Sequence, residues 1–149
     1  GEASTRFSMS TQSDFLGAMQ DAHRDLFEEL SLLEQSLDFS DQQIPTELRQ
    51  RMENVVSLVT CHFALEEEGG YLIAVRERRP EMAQRIDQLK AQHETLSETI
   101  RELMSSEITR DPSLVRQSLQ AWIQNMREHE RLENELVLTA FNSDLGTGD

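Results

Sequence analysis

Apolar residues recur at alternating steps of three and four along four long stretches of the chain, over about residues 11–39, 45–78, 81–106 and 112–141. This spacing is typical of helices that bury one face, and no stretch shows the alternation of a half-buried strand. The connections between the stretches are short and polar, so consecutive helices are expected to fold back on each other. The sequence therefore predicts an all-α fold, an antiparallel up-down-up-down four-helix bundle.

Six polar residues occupy inward positions of these predicted helices, where apolar residues would be expected. They are His23, His62, Glu66, His93, His129 and Glu133. Each helix carries one histidine, and in the second and fourth helices a glutamate follows it four residues later. Residues i and i+4 of a helix lie on one face about 6 Å apart along the axis, so both side chains can reach one ion. In the second helix the inward series continues through Gly69 to Ile73.

The four histidines are expected to lie at one depth in the bundle. Antiparallel neighbours bring residues to the same level when both are equally far from the loop that joins them. His23 lies about 15 residues before the end of its helix and His62 about 16 after the start of the next, a difference of ~1.5 Å at the helical rise. For the second and third connections, the distances of the two flanking histidines from the loop agree to within about one helical turn. The pattern therefore favours a single shared site.

A buried carboxylate without a partner is costly or takes up a proton, so Glu66 and Glu133 need a counter-charge. A cation would satisfy both carboxylates together with neutral imidazoles. Imidazole nitrogen suits iron, zinc, copper or nickel, and carboxylates can bridge two ions. A metal-free layer in which the glutamates pair with protonated histidines is the alternative. Ferritin-like centres are excluded, because no glutamate lies three residues before any of the histidines.

The composition narrows the class of protein. A chain of 149 residues suits one domain, and we place the bundle at 11–142, between an N-terminal segment (1–10) that is disordered or left over from expression and a flexible tail (143–149). A net charge of −14 repels nucleic acid and anionic membranes. No apolar run approaches the ~20 residues of a membrane span, and the single cysteine, Cys61, cannot form an internal disulfide. We therefore expect a soluble, cytoplasmic protein without nucleic-acid or membrane partners.

The pattern resembles the hemerythrin-like, or HHE cation-binding, family. The resemblance spans about residues 11–141 and rests on one segment per helix: His23, residues 62–68 (HFALEEE), residues 93–96 (HETL) and residues 129–134 (HERLEN). It implies a four-helix bundle that holds two iron ions in a non-haem, carboxylate-bridged centre. It also implies that the histidines of the first two helices bind one iron, that those of the last two bind the other, and that the two glutamates bridge them.

The third helix departs from the oxygen-carrying members of that family, which have two histidines four residues apart there. His93 has Ser97 four residues later and Leu89 four residues earlier, so the second iron is expected to have an open position, next to one or the other. In the fourth helix Glu133 follows its histidine at the fourth residue, where the oxygen carriers have an aspartate at the fifth, here Asn134. These departures weigh against reversible oxygen carriage and less against metal binding.

The resemblance favours a protein that binds or senses dioxygen, nitric oxide or peroxide rather than an enzyme. The alternatives are a di-iron oxidoreductase acting on peroxide, and a metal-free or zinc-binding helical interaction module. Further acidic residues lie beside the site but point about 100° or more away from the inward positions, and we interpret them as solvated or ligand-orienting groups. They are Glu67, Glu68, Glu130 and Glu135. We expect Cys61 to be a buried or helix-interface thiol rather than a ligand.

Overall fold

The computed structural model describes residues 9–68, 71–105 and 111–146, and the side chains within 17–68, 72–105 and 111–141. This part of the chain contains no strand. Its α-helices are α1 (Met9–Gln35), α2 (Thr46–Glu68), α3 (Tyr71–Arg78), α4 (Ala83–Ser105) and α5 (Pro112–Gly146), with a 3-10 turn at Pro80–Met82 before α4. The segments α2 and α3 together occupy the predicted second helix. No described helix is both long and apolar enough to cross a membrane.

The ends of the first two helices differ slightly from the prediction. α1 ends at Gln35 rather than near residue 39. The second predicted helix starts at about residue 45, but Pro45 lies just before α2, which begins at Thr46. The carbonyl of Pro45 accepts a hydrogen bond from the backbone N–H of Leu48 at 3.1 Å. Because proline has no N–H to leave unpaired, this position still suits the start of a helix.

α5 begins where the sequence predicts. The carboxylate Oδ1 of Asp111 accepts hydrogen bonds from the backbone N–H groups of Ser113 and Leu114 at 3.1 and 3.2 Å, the geometry of an N-cap. The helix continues to Gly146, so the segment expected as a flexible tail from residue 143 is helical over its first part. At the other end α1 already begins at Met9, and residues 1–8 and 147–149 lie outside the described part.

The helices pack as a bundle in which α1 contacts α2 and α5, and α4 contacts the same two helices. One set of buried side chains, the upper cluster, joins the C-terminal half of α1 with Leu37 just after it, α2, the C-terminal half of α4 and the N-terminal half of α5. Its members are Leu26, Leu30, Leu33, Leu37, Leu48, Met52, Val55, Val59, Phe63, Leu96, Ile100, Leu103, Val115, Leu119, Trp122, Ile123 and Met126.

A second set, the lower cluster, joins the opposite ends of the helices. Its members are Met19, Leu72, Val75, Met82, Ile86, Leu89, Leu136, Val137, Ala140 and Phe141. Since each cluster combines the end of one helix with the beginning of the next, successive long helices run in opposite directions. The predicted four-helix bundle is confirmed.

The predicted inward register holds in α4 and α5 but fails in α3. Ile73, expected to face the core, is 51% exposed, whereas Leu72 and Val75 are buried. At 3.6 residues per turn, Leu72 lies roughly 240° around a continuous helix from Glu66. The inward face of α3 is therefore not a continuation of the inward face of α2. The prediction for Gly69 lies outside the described residues.

Candidate metal centre

The six predicted site residues meet in one polar layer between the upper and lower clusters. The exposed fractions of His62, Glu66, His93, His129 and Glu133 are all 6% or less, and the side chain of His23 is 15% exposed. Ring centroids of the first two histidines are 4.7 Å apart, and those of the last two 4.8 Å. The expectation of a common depth is confirmed by these contacts. Their role as metal ligands stays a prediction.

Ligand-type atoms in this layer form two groups, and the atoms within each group lie within 4.8 Å of one another. The members of the first group are His23, His62, Glu130 and Glu133. The members of the second group are Glu66, His93, His129 and Glu133. Each group thus combines two imidazoles with carboxylates, and one glutamate belongs to both.

Glu133 connects the two groups through its two oxygens. Oε1 lies 2.9 Å from Nε2 of His23 and 3.6 Å from Nε2 of His62. Oε2 lies 3.5 Å from Nε2 of both His93 and His129. This carboxylate therefore presents one oxygen to each histidine pair.

Glu66 spans the layer in the same way. Its Oε2 is 3.0 Å from Nε2 of His62 and 3.6 Å from Nε2 of His23. Its Oε1 is 3.1 Å from Nε2 of His93. Two fully buried carboxylates therefore each face one histidine pair with one oxygen and the other pair with the second.

Many of these close polar atoms are not hydrogen-bonded to each other. Nε2 of His62, both oxygens of Glu66 and Nε2 of His129 are buried without a hydrogen-bond partner among the described residues, although Nε2 of His62 and Oε2 of Glu66 are only 3.0 Å apart. The distances are short but the angles do not suit a hydrogen bond. Buried ligand-type atoms that lie this close together without pairing with one another fit a metal site.

Neighbouring groups fix the orientation of the second histidine pair. Nδ1 of His93 lies 2.9 Å from Oε2 of Glu67, and Nδ1 of His129 lies 2.6 Å from Oε1 of Gln92. An Nδ1–H that donates to these oxygens leaves Nε2 as the lone-pair nitrogen facing the centre. The ring of Phe63 stacks on that of His93, with centroids 3.9 Å apart.

Electrostatics in the layer favour positive charge. Burial by itself would lower the pKa of each imidazole, but the attraction of the carboxylates within about 3 to 4 Å outweighs it. They raise the pKa of His23 to about 9, that of His93 to about 10 and that of His62 to about 12. Burial also opposes ionisation of Glu133, yet its contacts with Glu66 and the surrounding imidazoles hold its pKa well below the ordinary range. The layer thus attracts cations, either protons or metal ions.

Glu130 was expected to be either solvated or orienting. It is not solvated, because both of its carboxylate oxygens are buried and contact the histidines of the first group. The interpretation of Glu67 as an orienting group agrees with its contact to His93, and Glu68 and Glu135 are exposed. Cys61 was expected to be a buried or helix-interface thiol rather than a ligand. It is exposed, so the buried alternative is wrong, and it belongs to neither group of ligand-type atoms. Gln92 had no signal in the sequence, because a single amide beside an inward histidine is not distinctive.

The two residues considered for the open position next to His93 lie in different surroundings. Leu89 is 4% exposed and belongs to the lower cluster. Ser97 is half-buried and lines an outer groove with Phe63 and Glu67. Leu89 is therefore the inward neighbour of His93, and its hydrocarbon side chain cannot supply a ligand.

The donor set fits metal binding on its chemistry as well as on its geometry. It consists of imidazole nitrogens and carboxylate oxygens, without a thiolate, and this combination suits iron and other first-row transition metals. Three carboxylates, Glu66, Glu130 and Glu133, would be outweighed by two divalent cations. The buried polar atoms without hydrogen-bond partners would then gain the partners that the described protein residues do not provide.

A comparison with protein-family models gives the same interpretation. The model described as hemerythrin HHE cation binding domain matches residues 14–141, a range that contains all six predicted site residues and Glu130. No curated protein and no solved structure matches the chain. With the bundle and the buried histidine–glutamate layer, this match over most of the chain shows that the protein belongs to the hemerythrin HHE cation-binding domain family.

Proposed function

We propose that this protein holds two iron ions in a non-haem, carboxylate-bridged centre, where it binds or senses a small ligand such as dioxygen, nitric oxide or peroxide. One observation carries the proposal. Glu66 and Glu133 each direct one oxygen toward the first histidine pair and the other toward the second. A single ion would need only one of these groups of atoms, whereas a bridged pair uses both.

In this proposal His23 and His62 hold one ion, and His93 and His129 hold the other. When bound, the iron pair would supply the affinity for small diatomic or peroxide ligands, together with redox chemistry. The chain's own task is to hold the imidazoles in place and to limit the access of water to the second histidine pair.

Apolar side chains above the layer would limit the access of water to the second histidine pair, which is more buried than His23. Phe63 covers one face of His93. Trp122 is 1% exposed, and its indole N–H donates to the carbonyl of Leu96 at 2.9 Å, so its polar atom is satisfied within the core. A dry environment strengthens the electrostatic attraction between buried carboxylates and a cation.

The test is the metal content of protein purified without added metal, with an ultraviolet-visible spectrum of the oxidised protein recorded on the same sample. We expect about two irons per chain, as a two-metal site requires. In Glu66→Ala the second bridging carboxylate is lost, so two-metal binding should disappear while the helical circular dichroism remains. The matched control is Glu68→Ala, an exposed residue of the same helix, which should bind metal like the unaltered protein. Unaltered protein that takes up no iron would contradict the proposal.

An oxidoreductase acting on peroxide is the second candidate. It is favoured by the smaller number of terminal donors in the second group, where only His93 and His129 accompany the bridging carboxylates. Steady-state consumption of peroxide by the iron-loaded protein would separate it from a binding or sensing protein. The metal-free or zinc-binding interaction module would instead be favoured by zero iron in the same metal determination. The cytoplasmic location expected from the sequence stays a prediction.

A further inference from the structure

Glu130 occupies a distinctive place at the edge of the polar layer. It lies on α5 one residue after His129, and its side chain is 17% exposed. Its Oε2 is 3.1 Å from Nε2 of His23, and its Oε1 is 3.2 Å from Nε2 of His62. The two oxygens thus each face a different histidine of the first pair, and the carboxylate has no such contact with the second pair.

No protein group in the described part of the chain satisfies this carboxylate. Both oxygens of Glu130 are buried and without a hydrogen-bond partner among the described residues. The neighbouring arginines of α5 pair elsewhere, since Arg127 binds Glu34 at 2.9 and 3.1 Å and Arg131 binds Glu128 and Glu135 at 3.0 and 2.7 Å. The nearby arginines therefore do not neutralise this buried carboxylate, and the positive charge beside it comes either from the imidazoles of His23 and His62 when they carry an extra proton or from a metal ion between the three side chains.

We propose that Glu130 is a further metal ligand, which binds the ion held by His23 and His62 and closes that side of the centre. This inference rests on the proposed two-metal function. With Glu130 as a ligand, the two halves of the proposed centre, one for each metal ion, have unequal sets of donors. One half has three terminal donors, His23, His62 and Glu130, whereas the other has only His93 and His129. The bridging carboxylates Glu66 and Glu133 serve both halves.

A cavity between α1 and α5 leads to this ligand from the surface. Its volume is about 360 Å³, and its walls include His23 and Glu130 together with Gln20, Phe27, Arg127 and Asn134. If the carboxylate of Glu130 were removed, a small carboxylate such as formate could enter from solvent and take its place. The cavity thus allows the role of Glu130 to be tested by adding back the missing group.

The experiment compares Glu130→Gln and Glu130→Ala with the unaltered protein, using Co²⁺ as the probe. Isothermal titration calorimetry gives the stoichiometry and affinity, and the visible absorption spectrum reports the coordination of cobalt. We expect both variants to bind one of the two ions at least about tenfold more weakly, because even groups that only orient metal ligands contribute about 10- to 100-fold. We also expect a changed cobalt spectrum, and formate should restore the affinity and spectrum of Glu130→Ala.

The control is Glu128→Gln, which removes the same charge from an exposed position of α5 and should leave both affinities and the spectrum unchanged. Two ions bound by Glu130→Gln with unaltered affinity and spectrum would overturn the role of Glu130 alone. Equal weakening in Glu128→Gln would also overturn it, because the effect would then be one of general charge. If the unaltered protein binds no metal, the proposed function fails instead, so the two failures can be distinguished.

Discussion

At the scale of single residues, the second histidine pair depends on side chains that do not face the ions. The Nδ1–H groups of His93 and His129 are directed toward the oxygens of Glu67 and Gln92. These contacts select the ring nitrogen that is free to bind a metal and increase its basicity. Glu67 is 40% exposed, so it can influence the buried ring while remaining partly in solvent.

Replacing Glu67 with alanine should weaken the metal bound by His93 by about 10- to 100-fold, the usual effect of losing a group that orients a ligand. The structural reason is that the imidazole would no longer be held by its 2.9 Å contact through Nδ1. Isothermal titration calorimetry with Fe²⁺ under anaerobic conditions measures this affinity. Glu68→Ala removes the same charge from the neighbouring exposed residue and serves as the control. Equal affinities in the two variants would exclude the orienting role.

The sequence predicted which residues face the layer but not how far their side chains reach. The i, i+4 spacing and the inward periodicity identified six side chains that the structure brings together. Glu130 and Gln92 were missed because helical periodicity assigns a direction to the Cβ atom. A glutamate or glutamine has a long, flexible side chain that can turn back toward the core from a flanking position. Only the packing of neighbouring helices decides whether it does so.

At the scale of helices, α5 supplies the largest share of the centre. His129, Glu130 and Glu133 all lie on it, so the position of this helix fixes three of the candidate ligands. The helix is started by Asp111, whose carboxylate pairs with backbone N–H groups that have no acceptor within the helix itself. The carboxylate also interacts favourably with the positive end of the helix dipole.

Replacing Asp111 with alanine should lower the free energy of unfolding by about 1 kcal/mol, the typical effect of losing an N-cap. Equilibrium urea denaturation measures this change. Asp111→Asn retains an acceptor oxygen at the same place and should remain close to the unaltered protein. A full loss in the asparagine variant would mean that the charge, and not the hydrogen bonds, provides the stabilisation.

The buried face of α4 and of α5 was predictable from the sequence, whereas the change of buried face between α2 and α3 was not. In α4 and α5 the apolar steps of three and four alone identify the buried face, because these helices keep one face toward the core along their length. The series through Ile73 failed because it assumed a single uninterrupted face from Glu66 onward. Leu72 and Val75 are buried instead, and this change of face depends on how α3 packs against α4 and α5.

At the scale of the whole molecule, protons and metal ions compete for one polar layer. The raised pKa values of His23, His62 and His93, about 9, 12 and 10, lie above the ordinary value of 6.5. The folded, metal-free protein therefore keeps protons that the unfolded chain releases. This contribution to stability is complete below about pH 6.5 and is lost as the pH rises through about 9 to 12.

We accordingly expect the free energy of unfolding of the metal-free protein to fall between about pH 7 and about pH 10, as measured by urea denaturation. Metal binding at about pH 7 should release protons, because a ligating imidazole must be deprotonated. Calorimetric titrations in buffers with different ionisation enthalpies measure that release. A binding enthalpy that does not depend on the buffer would contradict this prediction.

The division of the apolar interior by the polar layer has a further consequence. The upper and lower clusters share no residue, and His23, Glu66, His93, His129 and Glu133 lie between their members along the chain. With ions in place, the layer would tie all four long helices together at mid-height. Without ions only the contacts between imidazoles and carboxylates would hold them there, so a calorimetric scan should give one unfolding transition for each form, at a higher temperature for the metal-loaded protein than for the metal-free protein.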